Sequence, residues 1–410
     1  MILKNYLLPF LLLCLLSACN KAPTTTSAIT QKIREIPALL DRPEKVWYGT
    51  EWVDIQNRYV ANRDKVVANP DDAEASIQLA EVFINEARIT GEHGHYYPAA
   101  LKMLEAVLSQ EVKDKDLKFR ALATKAGVQL SLHQFKEALE TGQSAVAMNP
   151  YNAQIFGVLV DAHVELGEYE EAVKMADRMM TIRPDLRSYS RVSYLREIHG
   201  DVPGSIEAME MAVRSGHPAL EETAWAMLTL GELYERYEDP NKAISVYKEI
   251  LQHRPNQPFA IGALGKIYLE EKKYEQAELV LQEAMDIIPE VGFYIDMATL
   301  YQQTGRREEA AKMTDEILVM LQDDLDSGHN MNLELANVHA HLKGDYNKAL
   351  QYATQEYNIR PKNIDVNRQL AMLYSEMGNR EKAAAHADLA AATNSKHPEL
   401  LAISKAVSMK

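Results

Sequence analysis

The stretch "IGALGKIYLEEKKYEQAELVLQEAMDIIP", residues 261–289, contains a pattern that returns along most of the chain. Gly265 is followed three residues later by Tyr268, and Ala277 comes nine residues after that tyrosine. Apolar residues at helical spacing fill the positions between them, and Pro289 ends the stretch. The pattern predicts two antiparallel helices that approach closely at Gly265 and Ala277 and are followed by a turn.

The small residue of the second helix recurs nine times in the 410 residues. These residues are Ala100, Ala138, Ala172, Ser205, Ala243, Ala277, Ala310, Ala349 and Ala383. Their spacings of 38, 34, 33, 38, 34, 33, 39 and 34 residues, with prolines in step, resemble those of the tetratricopeptide repeat, a helix-turn-helix of about 34 residues. The resemblance covers about residues 73–395 and implies an all-α, right-handed superhelical solenoid of about nine repeats, making about one turn.

Capping helices are predicted at both ends of the solenoid. Residues 47–70 and 398–410 each place apolar side chains on one helical face. The two faces consist of Trp52, Ile55, Tyr59 and Val66 in the first segment, and of Leu400, Ile403 and Val407 in the second. The repeats are therefore predicted to occupy residues 71–397. Repeat four is predicted to pack more loosely, because Tyr194 is aligned with the usual small residue and Pro203 begins its second helix.

The N-terminus predicts export. Residues 1–18 combine one lysine with an apolar run, Leu7 to Leu16, that is too short to span a membrane stably. The tetrapeptide Leu16-Ser17-Ala18-Cys19 resembles the lipobox of bacterial lipoproteins, which implies cleavage before Cys19 and lipidation of its thiol. The alternative is an ordinary secretory signal with a chance cysteine. Residues 19–46 are predicted to be the lipidated cysteine and a flexible tether, and residues 31–50 to be irregular or weakly docked.

The predicted location is the bacterial cell envelope. Asn20 is not the aspartate associated with inner-membrane retention, which favours the outer membrane, facing the periplasm. Removing residues 1–18 leaves 43 basic and 59 acidic residues, a net charge of −16 that argues against nucleic acid as a partner. Because the remaining cysteine, Cys14, lies in the removed segment, the mature chain has no pair of thiols for a disulfide.

The stretch "ITGEHGHYYP", residues 89–98, is predicted to be an enlarged turn inside repeat one. His93, His95, Tyr96 and Tyr97 would face a partner from this loop. In the alternative function, a metal- or small-ligand-handling envelope protein, His93 and His95 bind Zn or Cu with Glu92 as third ligand. No other His or Cys of the same repeat completes such a set, so neither a metal nor a cofactor is predicted.

A second acidic stretch, "DDLDSGHNMNLE", has Gly328 and Glu334 at positions six and twelve of a calcium loop counted from Asp323. Leu325 at position three cannot coordinate, so the stretch is interpreted as an inter-repeat turn. The sequence contains no nucleophile elbow with Ser, His and Asp partners and no phosphate-binding glycine loop. The protein is therefore predicted not to be an enzyme.

The resemblance implies that the first helices of the repeats line a concave groove that binds a protein or peptide. The groove residues assigned in this way are Tyr194, Trp225, Phe259, Arg187, Glu232, Lys266, Gln302 and Gln303. The three aromatic residues fall in consecutive repeats, which is typical of a binding hot spot, although aromatic residues at such spacing can also pack as core. The predicted function is that of a membrane-anchored scaffold or adaptor that mediates protein–protein interactions.

Overall fold

The structure is a computed structural model that describes residues 35–408. This part of the chain contains 20 α-helices, one 3-10 turn at Glu44–Val46 and no β-strand. The helices are α1 Glu51–Ala68, α2 Ala73–Thr90, α3 His93–Leu108, α4 Lys115–Ser131, α5 Phe135–Met148, α6 Ala153–Glu165, α7 Tyr169–Ile182, α8 Leu186–Ile198, α9 Val202–Ser215, α10 Glu221–Tyr237, α11 Pro240–His253, α12 Pro258–Glu270, α13 Tyr274–Met285, α14 Val291–Gln303, α15 Arg307–Asp326, α16 Asn332–His341, α17 Tyr346–Ile359, α18 Ile364–Glu376, α19 Arg380–Ala390 and α20 Pro398–Ser408.

Helices α2 to α19 form nine antiparallel pairs that stack in chain order, which confirms the predicted helical solenoid. The small residues place the two helices of a pair close together. Ala243 and Ala277 are fully buried, and a Cβ atom added to Gly231 would lie only 2.2 Å from the ring of Tyr247. Each pair buries its remaining apolar face against its neighbours, so stability is distributed over successive interfaces.

Repeat four packs closely, contrary to the prediction. Ser193 lies 12 residues before Ser205, as Gly231 lies 12 residues before Ala243, so Ser193 rather than Tyr194 occupies the small position. Both serines are buried, and the Ser193 hydroxyl donates a hydrogen bond to the Ser205 carbonyl at 2.8 Å. Pro203 stands in the first turn of α9, where a helix requires no backbone N–H donor.

The two terminal helices cover the ends of the stack. Helix α1 buries Trp52, Ile55, Tyr59 and Val66, the face predicted from the sequence. Helix α20 buries Leu400 and Ile403 against the last repeat. No helix of residues 35–408 combines the length and the apolar character that a membrane span requires. Cys19 and the predicted signal lie outside the described residues.

Residues 35–46 are docked on the first repeat, so the flexible tether predicted for residues 19–46 is wrong for this part. Arg42 is 2% exposed, and its guanidinium forms an ion pair of 2.5 Å with the fully buried carboxylate of Glu86 in α2. The hydroxyl of Tyr59 donates to the Pro37 carbonyl at 2.9 Å, and Val46 is buried. The segment has no regular helix of its own beyond the short turn, which is why its composition resembles that of a linker.

Successive turns of the superhelix contact each other. The His133 ring lies 2.9 Å from the Asn330 carbonyl, 197 residues away, and the Ile364 backbone N–H donates to the Tyr169 hydroxyl, 195 residues away. At the N-terminal end, Arg254 pairs with Glu51, 203 residues away. One turn therefore takes about 200 residues, or close to six repeats of about 34 residues. The described chain makes well over one turn, whereas the resemblance implied about one.

Candidate partner-binding groove

The first helices of the repeats form the inner side of the superhelix. Helices α2, α4, α6 and α8 each contact the next first helix along the chain as well as their own partner helix. Because the first helices lie closer together than the second helices, the stack curves around them. Their solvent-facing residues therefore line the concave groove, which is where the predicted site residues were placed.

Two of the predicted aromatic residues remain accessible in this groove. Tyr194 in α8 is 38% exposed and Trp225 in α10 is 49% exposed. The Tyr194 side chain is enclosed by surrounding groups although part of its surface remains exposed. This enclosure raises its pKa well above the ordinary value, and the carboxylates of Asp365 and Glu165 raise it further. Asp365 begins α18, so the next superhelical turn approaches the groove at Tyr194.

Phe259 does not join these two residues as a free aromatic side chain. It is half-buried and lies 5.8 Å from the ring of Phe293, in an apolar cluster that also contains Val46 of the docked N-terminal segment. The core alternative is therefore the better description of Phe259, while Tyr194 and Trp225 keep the exposure that a binding role requires. The cluster forms because the N-terminal segment packs on repeat six, which the repeat pattern could not predict.

The groove is acidic beside Trp225. Glu232 follows Trp225 by seven residues in α10, so both lie on the same face of the helix. Burial raises the pKa of Glu232 and of Glu270 in α12, and it raises the pKa of Asp296 in α14 to about 6. Lys266 lies close enough to lower the pKa of all three carboxylates, and Arg236 lowers that of Glu232, so their charges are partly compensated within the solenoid. Because the three carboxylates outnumber these two cations, this part of the groove is complementary to a positively charged group.

The other predicted groove residues mostly bond within the solenoid. Arg187 forms an ion pair of 3.0 Å with Glu222, and Lys266 forms one of 2.6 Å with Glu235. The Gln302 amide donates to the Leu342 carbonyl at 2.8 Å, which links repeats seven and eight. Gln303 is exposed. Because Arg187, Lys266 and Gln302 already bond to groups on neighbouring helices, fewer hydrogen-bond donors are available to a partner than the sequence suggested.

The predicted loop in repeat one is instead the beginning of a helix. Helix α2 ends at Thr90, Gly91 adopts the left-handed conformation with φ of 75°, and α3 begins at His93. Tyr96 and Tyr97 are buried in α3, so a partner-facing loop of His93, His95, Tyr96 and Tyr97 is not present. The His95 ring lies 2.9 Å from the Ala38 carbonyl, which places it against the docked N-terminal segment rather than in a site shared with His93.

His93 meets residues from the other stretch that the sequence had singled out. Possible ligand atoms of His93, Asp324 and His329 all lie within 4.8 Å of one another. His93 begins α3 in repeat one, whereas Asp324 and His329 lie near the end of α15 and in the junction that follows it. The three side chains come together because the second superhelical turn rests on the first. Nothing in either stretch of sequence indicated that His93 would lie beside Asp324 and His329.

Burial shapes the charge of this cluster. It lowers the pKa of His93, and it lowers the pKa of His329 to about 4, with further lowering from the neighbouring imidazoles. Burial also raises the pKa of Asp324 to about 6, with further raising from the nearby carboxylate of Asp323. Both imidazoles are therefore neutral at pH 7, which is the form in which histidine binds a metal.

A family model described as "Tetratricopeptide repeat" matches residues 129–197 and 236–291. In these two segments the chain matches the tetratricopeptide repeat. Two curated proteins are similar in sequence. "Tetratricopeptide repeat protein 21B" of Xenopus laevis is 22% identical over 378 residues, covering 81% of this chain and 27% of that protein. "Cellulose synthase operon protein C" of Pseudomonas fluorescens (strain SBW25) is 24% identical over 202 residues, covering 46% of this chain and 15% of that protein. The chain thus spans a minor part of the length of both.

Three solved structures match this chain at low identity and with TM-scores below 0.5. The human IFIT1 dimer with PPP-AAAA has a TM-score of 0.47 and 13% identity, covering 90% of this chain and 99% of that chain. The Cut9–Hcn1 hetero-tetramer of APC/C has a TM-score of 0.43 and 13% identity, covering 88% and 74%. PilF of Pseudomonas aeruginosa has a TM-score of 0.40 and 14% identity, covering 50% and 93%.

Proposed function

We propose that this protein is a lipid-anchored scaffold of the bacterial cell envelope that binds a protein partner in its concave groove. Tetratricopeptide repeats generally mediate protein–protein interactions, and the two segments that match them belong to a stack of nine helix pairs. The observation that carries the proposal is the exposure of Tyr194 and Trp225 on the inner side of a solenoid that buries most of its other large apolar side chains. Aromatic side chains contribute much of the binding energy of protein interfaces.

The groove favours a partner segment that is both apolar and positively charged. Trp225 offers an apolar surface, and the three carboxylates of Glu232, Glu270 and Asp296 lie around the single ammonium group of Lys266, so negative charge is in excess. A lysine or arginine beside an apolar residue would satisfy both features, and an arginine could also stack on the indole ring. An acidic peptide would be repelled by the same carboxylates.

The membrane anchor rests on Cys19 and the tetrapeptide before it, which lie outside the described residues. In this proposal the lipid on Cys19 holds the chain to the outer membrane, facing the periplasm, and the solenoid presents its groove to soluble or membrane partners. Lipidation at one residue supplies the attachment that none of the helices in residues 35–408 offers. No catalytic role is included in the proposal.

Cross-linking in native envelopes, followed by identification of the captured proteins, tests the proposal. The full-length protein, Trp225→Ala and the control Leu279→Ala are compared. Leu279 in α13 is 73% exposed on a second helix, away from the groove, so its truncation removes a similar amount of exposed apolar surface. We expect Trp225→Ala to reduce capture of a basic partner at least about tenfold, as for a hot-spot residue, and Leu279→Ala to leave capture unchanged.

The same preparation tests the anchor. Cys19→Ser is expected to move the protein from the membrane fraction to the soluble fraction while its helicity stays the same. Equal capture by the Trp225→Ala variant and the unmodified protein would place the interface elsewhere. Retention of the Cys19→Ser variant in the membrane fraction would argue against lipid attachment at that residue.

A further inference from the structure

We propose that His93, Asp324 and His329 form a zinc site that joins two successive turns of the superhelix. The three side chains present two imidazole nitrogens and a carboxylate oxygen within 4.8 Å of one another. Two histidines and one carboxylate are a ligand set that zinc accepts, with a water molecule in the fourth tetrahedral position. This set differs from the pair of His93 and His95 that the sequence suggested.

The distances suit a small cation. Ligands about 2.0–2.1 Å from a tetrahedral zinc ion are about 3.3 Å apart. The three ligand atoms therefore need to close by no more than about 1.5 Å, which rotation of the side chains can supply. His93 and Asp324 are half-buried and His329 is 7% exposed, so the site is both sheltered and open to entry from solvent.

A hydrogen bond to Ser327 favours one tautomer of the His329 imidazole. The Ser327 hydroxyl donates to the Asp324 carbonyl at 2.8 Å, so its oxygen can only accept from the His329 Nδ1, which lies 3.2 Å away. In the tautomer that carries its proton on Nδ1, the lone pair of Nε2 is free for a metal. Nδ1 itself lies 4.0 Å from the Asp324 carboxylate, so the imidazole has to turn to bring Nε2 to the metal. Metal-binding histidines usually have their second ring nitrogen held by a partner of this kind.

A second histidine supports the segment that carries His329. His133, in the turn between α4 and α5, has a φ of 56°, a conformation that the equivalent turns of repeats three and four occupy with Gly167 and Gly200. Its Nδ1 lies 2.9 Å from the Asn330 carbonyl, next to His329. A non-glycine residue in this conformation costs free energy, and Lys272 adopts it as well in the equivalent turn of repeat six. The contact fixes the position of the junction on the first superhelical turn.

The site would cross-link two parts of the chain that are far apart in sequence. His93 lies in repeat one, and the other two ligands lie where repeat seven passes to repeat eight. Because the ligands are far apart in sequence, the unfolded chain does not bring them together, and zinc bound to the folded chain stabilises it. The role is structural and does not require catalysis at the metal.

The test uses the full-length protein in detergent, stripped with a chelator and then equilibrated with zinc chloride. Bound zinc is measured by mass spectrometry of the metal, and the melting temperature is followed by circular dichroism. We expect one zinc ion per chain and a melting temperature a few degrees higher with zinc than without it. His93→Ala and His329→Ala should each weaken zinc binding more than about 100-fold, beyond the loss that follows removal of a supporting residue.

His95→Ala is the matched control, because His95 lies two residues from His93 on the same helix but outside the cluster. It should bind zinc as the unmodified protein does. Asp324→Asn keeps the shape of the side chain and removes the charge, so it should weaken binding without altering the metal-free melting curve. Failure of the unmodified protein to retain zinc, retention by His329→Ala, or equal loss in His95→Ala would overturn the proposal. These outcomes do not depend on the partner assay.

Discussion

Arg42 and Glu86 form a buried ion pair between the N-terminal segment and α2. The guanidinium makes two contacts with the carboxylate, at 2.5 and 3.0 Å, and both side chains are fully buried. Asn85 donates a further hydrogen bond to the Glu86 carboxylate at 3.1 Å. A buried charge is tolerated when its partner and hydrogen bonds are complete, and it becomes costly when one partner is removed. The pair therefore controls whether residues 35–50 stay docked.

Arg42→Ala should release this segment. Loss of the guanidinium leaves the Glu86 carboxylate buried without a counter-charge, which is expected to cost about 3–5 kcal/mol of local stability. Hydrogen exchange followed by mass spectrometry should then show α1 exchanging at least about a hundredfold faster, because each 1.4 kcal/mol is a factor of about ten. Helix α18 in repeat nine, which packs on α17, α19 and α20 and not on the N-terminal segment, should keep its protection.

The control for this variant is Arg63→Ala, since Arg63 in α1 pairs with the neighbouring Asp64 at the exposed surface. An exposed pair of this kind contributes little to stability, so exchange in α1 should not change. If Arg42→Ala left exchange in α1 at its original rate, the ion pair would not be what holds the segment in place.

Within a repeat, the two helices approach closely only where a small residue allows it. Gly231 in α10 faces Tyr247 of α11, which is fully buried between the two helices. Gly127 in α4 also lies within a helix, yet a Cβ atom added there would meet nothing within 4 Å. Gly231 is therefore needed for close packing, whereas Gly127 only shows the general destabilising effect of glycine within a helix.

Gly231→Ala and Gly127→Ala should therefore change the free energy of unfolding in opposite directions. The first is expected to lower the free energy of unfolding by about 1–3 kcal/mol, because the new methyl group overlaps the ring of Tyr247. The second is expected to raise it by up to about 1 kcal/mol, because alanine has the higher helix propensity. Urea denaturation followed by circular dichroism at 222 nm measures both, and a stabilised Gly231→Ala variant would contradict this account of the close approach.

The arrangement of helices into pairs could be predicted from the sequence because it depends on local spacing. A small residue, a turn and a proline lie within about 34 residues of one another, so the hairpins and both capping helices followed from the pattern. Predictions for individual residues were wrong where the residue contacts a segment outside its own repeat or where a single backbone conformation decides the structure. Phe259 packs against the N-terminal segment, and the histidine stretch begins a helix because Gly91 ends the preceding one in a single left-handed residue.

The contacts between superhelical turns could not be predicted in the same way. They depend on the pitch of the superhelix, which accumulates from small rotations at each repeat, and they join residues about 200 positions apart. The ligand set of His93, Asp324 and His329 is of this kind: both stretches stand out in composition, but nothing in the sequence places them together. The groove is affected as well, because the second turn brings Asp365 towards Tyr194.

Arg360 is the main polar link between the turns. It is 6% exposed and contacts the carboxylates of Glu165 in α6 and Glu356 in α17, while its guanidinium lies 4.8 Å from the ring centre of Phe135. Burial raises the pKa of Glu165, and the charge of Arg360 opposes that rise. Without the guanidinium, two carboxylates from adjacent turns would face each other with no cation between them.

Arg360→Ala should consequently loosen the contact between turns while leaving each repeat folded. We expect the radius of gyration and the maximum dimension measured by small-angle X-ray scattering to increase, with helicity at 222 nm nearly unchanged. Arg306→Ala provides the matched control, because Arg306 also contacts two carboxylates, of Glu278 and Glu309, and an aromatic ring, but only within neighbouring repeats. Unchanged scattering in both variants would mean that the contact between turns does not depend on Arg360.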